Sequence, residues 1–352
     1  MAHYPLLALA VAFTMLLGCA PATSSDGGAD AEPGLEATSG VDLPESAGLS
    51  PAGISINGIS INGISINGIS INGISINGPQ INNVTLQKVA LAGAMLSETG
   101  FSNVTLSEVE LEASIFSGKK PDGTNLSGDE MLGVSFWGEL ANGTRRRLRI
   151  ESRSELSSPG GDVSAYDVTY ASSEGRKHLC GLDAEGEPVL AIPINGAWNY
   201  EQGFPGASGF VPAPAHFTFA CRGAAIAKCV ELGYQPWESA PNGSGDRTDY
   251  LVACTRAIRA DYCGDGTPHT VNGTNINLYD DIGVQGDGAA WGFEAEWTAA
   301  GARFVRPGPG AARYGLAGGA PPSCIAQLES ASAGDLAHFD NGTLLMTEFS
   351  LP

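Results

Sequence analysis

The chain has 352 residues, 48 of them glycine, and carries 38 acidic against 18 basic side chains, for a formal net charge of −20. Such a glycine-rich, lysine-poor composition excludes a large helical bundle and favours β structure with many turns. The charge works against nucleic acid or an anionic lipid surface as partner, since both require local positive potential.

Leu6 to Leu17 form an apolar run too short to span a bilayer as a helix, and it ends in Leu16-Leu17-Gly18-Cys19. This motif resembles the lipobox of bacterial lipoproteins. It implies a cleaved signal over residues 1–18, a lipidated Cys19 and durable membrane attachment through more than one acyl chain. Ala20, where an Asp would favour inner-membrane retention, implies the outer membrane. Only His3 and the terminal amine stand where Lys or Arg would precede the apolar run. An ordinary cleaved secretory signal is the alternative. Residues 19–52 follow as a flexible acidic tether, rich in Ala, Gly, Ser and Pro and without aromatic side chains.

From Ile56 to Phe136 every fifth residue is apolar, with Pro121 as the one lapse, and five identical copies of Gly-Ile-Ser-Ile-Asn run from Gly53 to Asn77. Asn-Gly between short apolar runs also signals hairpins. The period nevertheless persists through Val84-Thr85-Leu86-Gln87-Lys88 and Val104-Thr105-Leu106-Ser107-Glu108, where the Asn-Gly turns are gone. These units resemble pentapeptide-repeat proteins. The resemblance implies a right-handed quadrilateral β-helix over residues 53–138, its Leu/Phe/Ile column stacked inside as a rigid spacer. Ile54, Ile59, Ile64, Ile69 and Ile74 depart from that pattern, which has smaller residues at their position.

Residues 139–352 read as a disulfide-stapled α+β domain, in a chain that is mainly β. Alternation predicts strands over Arg147–Glu151, Asp162–Ala171, Val189–Ile194 and His216–Ala220, with turns at Pro159-Gly160-Gly161, Glu185-Gly186 and Asn195-Gly196. Helices are predicted over Ala224–Leu232 and Arg247–Arg259. The basic cluster Arg145, Arg146, Arg147 and Arg149 reads as a solvated face or charged edge of a strand. Cys180, Cys221, Cys229, Cys254, Cys263 and Cys324 form an even set, which in an oxidising compartment predicts three disulfides, and no C-x2-C pair speaks for zinc. Mid-helix positions suggest a Cys229–Cys254 staple. Cys180 with Cys221 and Cys263 with Cys324 would complete one of the connectivities that the spacing leaves open.

The run Arg259-Ala260-Asp261-Tyr262-Cys263-Gly264-Asp265-Gly266-Thr267 does not stand alone. With it come Thr218-Phe219-Ala220-Cys221-Arg222-Gly223, Ala227-Lys228-Cys229-Val230-Glu231-Leu232-Gly233-Tyr234-Gln235-Pro236-Trp237 and Asn277-Leu278-Tyr279-Asp280. Together they resemble the ADYC domain of secreted bacterial proteins, a resemblance that implies no activity.

Read by itself, the loop places Asp261, Cys263, Asp265 and His269 within a short span. A Cys beside a His and an Asp is a possible nucleophile with its base, unless a disulfide removes it. Asp261, Asp265 and His269 are the catalytic candidates for a hydrolase of envelope polymers. Asp265, Asn272, Asn275, Asn277, Asp280 and Asp281 offer hard oxygen ligands for calcium, but their spacing fits no EF-hand and the same residues form tight turns. Trp198, Tyr200, Trp237, Tyr250, Trp291 and Trp297 suit either a stacking platform or core packing. The expectation is a lipid-anchored outer-membrane protein on the periplasmic or surface face, structural or ligand-binding. An envelope glycan or protein would be its partner, with no nucleic acid and no cofactor, and an enzyme is the alternative.

Overall fold

The computed structural model describes residues 76, 78–97, 103–243, 245–271, 273–286, 291–316, 320–331, 339 and 342–349, which fall within one unit, Leu49–Pro352. The segments expected to be signal and tether, residues 1–52, lie outside the described residues, as do the five exact repeat copies apart from Ile76.

Strand β1 (Val84–Ser97) follows a two-residue strand at Gln80–Ile81 that pairs with it. A small three-stranded clip follows, made of β2 (Ser107–Glu112), β3 (Ile115–Lys119) and β4 (Asn125–Ser127). Next come β5 (Val134–Leu140), β6 (Arg145–Leu156), β7 (Val163–Ser172), β8 (Ala191–Asn195) and β9 (His216–Cys221). Strands β1, β9, β8, β7, β6 and β5 pair in that order, every pairing antiparallel, and β5 pairs back onto β1. The result is a closed six-stranded barrel. Closure leaves no free edge among these strands.

The expected right-handed quadrilateral β-helix is thereby overturned. Among the described residues its column is buried, Leu86, Leu106, Leu111, Met131 and Phe136 included, but antiparallel ladders replace the stacked coils. The reason lies in β1. Its buried apolar residues are Leu86, Val89, Leu91, Ala94 and Leu96, spaced three, two, three and two apart. A regular strand alternates faces, so a step of five would carry a side chain to the opposite side. Extra residues correct the parity. The register against β5 slips between Leu86 and Lys88 and again between Ala90 and Met95, where Gly93 adopts φ +75°. Each bulge turns a step of two into three and keeps the fifth residue inside. Bulged strands and solenoid coils thus share one periodicity.

Phe116 from β3 fills the barrel interior. Its ring centroid lies 4.9 Å from Phe136, 5.3 Å from Tyr166, 5.0 Å from Phe217 and 6.3 Å from Phe219. Polar contacts fix the clip that delivers it. Asn195 Nδ2 donates to the Leu111 carbonyl at 2.8 Å, and the left-handed turn residue Ser114 receives the Ser164 N–H at 2.8 Å and the Tyr166 hydroxyl at 3.1 Å.

Helices α1 (Ala225–Glu231) and α2 (Thr248–Arg259) follow the barrel, close to their predicted limits. A second antiparallel sheet comprises β10 (Ile276–Asp280), β11 (Gly292–Thr298), β12 (Gly301–Val305) and β13 (Leu345–Phe349), in the order β10-β13-β11-β12. Before β13 comes the short α3 (Ile325–Glu329). Helix α2 packs on this sheet, burying Leu251, Cys254 and Ile258 in one core with Leu278, Trp297 and Leu345. Disulfides join Cys180 to Cys221, Cys229 to Cys254 and Cys263 to Cys324, with Cα separations of 5.5, 5.9 and 5.6 Å, all normal for the bond. The first links the end of β9 to the segment between β7 and β8, and the second staples the two helices.

Phe116→Ala should cost about 3–5 kcal/mol, the usual loss for emptying a fully buried aromatic site. Guanidinium unfolding measures it; an unchanged midpoint would mean that the ring does not support the barrel.

Candidate functional site

Helix α2 ends at Arg259, and Ala260 closes it in a left-handed conformation, φ 54° and ψ 43°, its N–H donating to the Arg256 and Ala257 carbonyls. Asp261 comes next and is fully buried. Its Oδ2 receives Arg256 Nη1 at 2.7 Å and the Gly266 N–H at 3.1 Å, and its Oδ1 receives the Asp265 N–H at 3.0 Å. Burial pushes the carboxyl up, while the Arg256 and Arg259 charges pull it down. Arg256 is itself buried and also donates to the Ala299 and Ala207 carbonyls, both at 2.8 Å. Arg259 donates to the Gly266 carbonyl, and burial lowers its guanidinium to about 10.

Tyr262 stacks on Trp297 at 5.3 Å and donates its hydroxyl to Glu294 Oε1 at 2.6 Å. Glu294 pairs with Arg313 at 2.9 Å, both buried, and Arg313 also donates to the Ala257 and Ile258 carbonyls at the C-terminal end of α2. A cation there also complements the helix dipole. Cys263 is bonded to Cys324, so it offers no thiolate. Gly264 has φ +66°, and a Cβ on it would lie 1.8 Å from the Ala300 carbonyl oxygen, so no other residue fits.

The match to the family model of the ADYC domain extends over residues 128–308, more than half of the chain. The chain belongs to the ADYC-domain family. Neither a curated protein nor a solved structure matches it. In the ADYC domain of this protein each letter of the motif has a fixed packing role. Ala260 ends a helix, Asp261 neutralises buried arginine, Tyr262 bonds to β11, and Cys263 ties down the segment before α3.

The catalytic candidates Asp261, Asp265 and His269 share this loop, and within it the Asp261 carboxylate and Asp265 Oδ1 are committed to hydrogen bonds. Asp261 has no exposed surface to meet a substrate. Asp265 Oδ1 receives the Thr267 N–H at 2.9 Å in a tight turn. The His269 backbone N–H donates to the Arg259 carbonyl at 3.0 Å, and burial lowers its imidazole against the opposing pull of Asp265.

The calcium candidates separate in the same way. Asp280 spends Oδ1 on the Ile282 and Val284 N–H groups and Oδ2 on the Gln285 N–H and the Tyr234 hydroxyl. Asn277 donates to Glu348, and Asn275 is exposed. Among the described residues no three His, Cys, Asp or Glu side chains converge as a metal site. Of the aromatic candidates, Trp198, Tyr250 and Trp297 are buried, and Tyr200 and Trp237 pack against the same core.

A feature that the sequence reading missed lies on the outer wall of the ADYC domain's barrel. Trp137 on β5 stands opposite Arg147 on β6, whose guanidinium lies 4.3 Å from the ring centroid, with that of Arg145 at 5.0 Å. Arg147 is anchored by the Gly93 and Ser135 carbonyls, both at 3.1 Å. Burial and the neighbouring Arg145 charge lower its guanidinium. Further along the wall, Arg149 and Arg176 both pair with Glu151. Among the described residues no carboxylate pairs with Arg145 or Arg147. Phe136 faces inward, so strand alternation alone could have placed Trp137 outside.

Burial pushes the Glu294 carboxyl up, but the Arg313 charge and the hydrogen bonds from Arg313 and Tyr262 hold it below its ordinary value of 4.5. A carboxylate depressed on folding lends stability that is complete above its unfolded pKa and is lost as pH falls through the folded one. Glu294→Gln should therefore cost about 3–5 kcal/mol near neutral pH by leaving Arg313 unpaired. In urea unfolding the gap to wild type should narrow as pH falls below 4.5; a gap that stays constant through that range would contradict the depressed carboxyl.

Proposed function

We propose that this protein is a non-enzymatic binding module of the cell envelope, held to the outer membrane by lipid on Cys19, which presents the basic wall of its barrel to an acidic envelope glycan. The observation that carries the proposal is the Arg145–Trp137–Arg147 group, two guanidiniums without carboxylate partners among the described residues, in a chain of net charge −20. Elsewhere, arginines such as Arg153, Arg222, Arg256 and Arg313 are matched to acids. Arg145 over the indole keeps donors for a carboxylate, Arg147 adds its charge while donating to the Gly93 and Ser135 carbonyls and the Met95 sulfur, and the indole adds apolar surface against a sugar. The net charge does not prevent this, because at physiological salt repulsion is screened beyond about 8 Å.

Three disulfides suit an oxidising compartment outside the cytoplasm, in keeping with the lipobox-like segment at Cys19. A hydrolase working through Asp261, Asp265 and His269 has less support, because the Asp261 carboxylate is enclosed and fully hydrogen-bonded.

Calorimetric titration of the purified protein with oligogalacturonate at low salt should show binding. Arg145→Glu should weaken it by about tenfold or more, equivalent to about 1.4 kcal/mol, without moving the melting temperature. Binding by wild type that is absent, or that Arg145→Glu leaves intact, would overturn the proposal.

A further inference from the structure

The turn Gly206-Ala207-Ser208-Gly209 is clasped by the ADYC loop. The Gly203 N–H donates to the Asp265 carbonyl at 2.7 Å, the Gly206 N–H donates to the Gly264 carbonyl at 3.0 Å, and Ala207 forms a parallel bridge with Asp265. Within it, Ser208 combines three features. Its backbone is left-handed, φ +60°, a conformation that serine rarely adopts. Its side chain is fully buried, and its Oγ meets no hydrogen-bond partner among the described residues. The carbonyl oxygen of the preceding Ala207 receives Arg256 Nη1 at 2.8 Å, from a buried guanidinium balanced by Asp261.

An uncommitted hydroxyl, a backbone held in a rarely populated conformation, and a fixed cation at the oxygen where negative charge would develop are the components of an intramolecular acyl shift. We propose that the Ala207–Ser208 peptide is a self-cleavage site. Ser208 Oγ adds to the Ala207 carbonyl carbon, and Arg256 stabilises the resulting oxyanion. The C–N bond then breaks, and the hydroxyl proton ends on the departing Ser208 nitrogen. The product is an ester between the Ala207 acyl group and Ser208 Oγ, with a free α-amine on Ser208. Water hydrolyses the ester to an Ala207 carboxylate and restores the serine hydroxyl. Water is the only co-reactant. Cleavage removes the constraint at φ of Ser208, and the halves stay joined through Cys180–Cys221, one cysteine on each side of the break.

Ser114 serves as an internal control. It is also buried, left-handed and preceded by alanine, but its Oγ is engaged by the Ser164 N–H at 2.8 Å. It should not cleave.

The full chain is incubated at neutral pH with and without hydroxylamine, which captures esters, and is then resolved with and without reductant. Two fragments should appear only after reduction, the second beginning at Ser208, and hydroxylamine should raise the cleavage rate several-fold. Ser208→Ala should remain one chain, Ser208→Cys should still cleave, and Ser114→Ala should match wild type. A wild-type chain that stays whole under reductant after hydroxylamine treatment would overturn the proposal, as would cleavage that begins elsewhere or persists in Ser208→Ala.

Discussion

The buried ion pair between Arg256 and Asp261 ties together three parts of the protein that also meet in one apolar core. Removing two charges from water is expensive, and such a pair is tolerated only when its geometry is good and its remaining polar atoms are satisfied. Both conditions are met. Asp261 has three donors, and Arg256 reaches Asp261 and the carbonyls of Ala207 and Ala299. One guanidinium therefore fixes the turn beyond β8, the end of α2 and the hairpin between β11 and β12. The second pair, Arg313 with Glu294, closes the same helix end from the other side. Two ion pairs and a disulfide converge within a few residues of Ala260, which explains why the motif is so dense in polar side chains.

The matched region 128–308 does not hold every strand of these sheets. Strand β1, which stands between β9 and β5, comes from before it, and β13, which stands between β10 and β11, comes from after it. Without β1 the barrel would expose two pairing edges, a known route to aggregation. The clip, which lies wholly before the match, supplies the ring that packs against Phe136, Tyr166, Phe217 and Phe219. The flanking segments thus complete the sheets of the domain.

Local order was legible in the sequence to the degree that local forces set it. Helix α2 runs from Thr248 to Arg259 against a predicted Arg247–Arg259, because its apolar spacing belongs to one face of one helix. Cys229 and Cys254, placed at mid-helix, bond to each other. The members of the fivefold column that lie among the described residues are buried, apart from the lapse at Pro121, but periodicity carries no information on which strand pairs with which. Bulges at Leu86–Lys88 and near Gly93 gave β1 the rhythm of a solenoid coil. The same limit hid the Trp137 group, since Trp137 and Arg147 become neighbours only through pairing of β5 with β6. Asp261 and Asp265 looked like chemistry because a sequence lists carboxylates without saying what encloses them.

A functional picture follows from this division of labour. The motif region carries much of the internal charge balance of the domain, whereas the outer wall of the barrel carries Arg145 and Arg147, with which no carboxylate pairs among the described residues. The first accounts for the packing of the motif, and the second is the surface proposed for recognition. Both depend on the central claim that the Ala-Asp-Tyr-Cys run is a structural lock built on a buried charge. Equilibrium unfolding of Asp261→Asn tests that claim most directly. A loss of about 3–5 kcal/mol is predicted, as for other buried pairs deprived of one partner; a variant that unfolds together with wild type would contradict it.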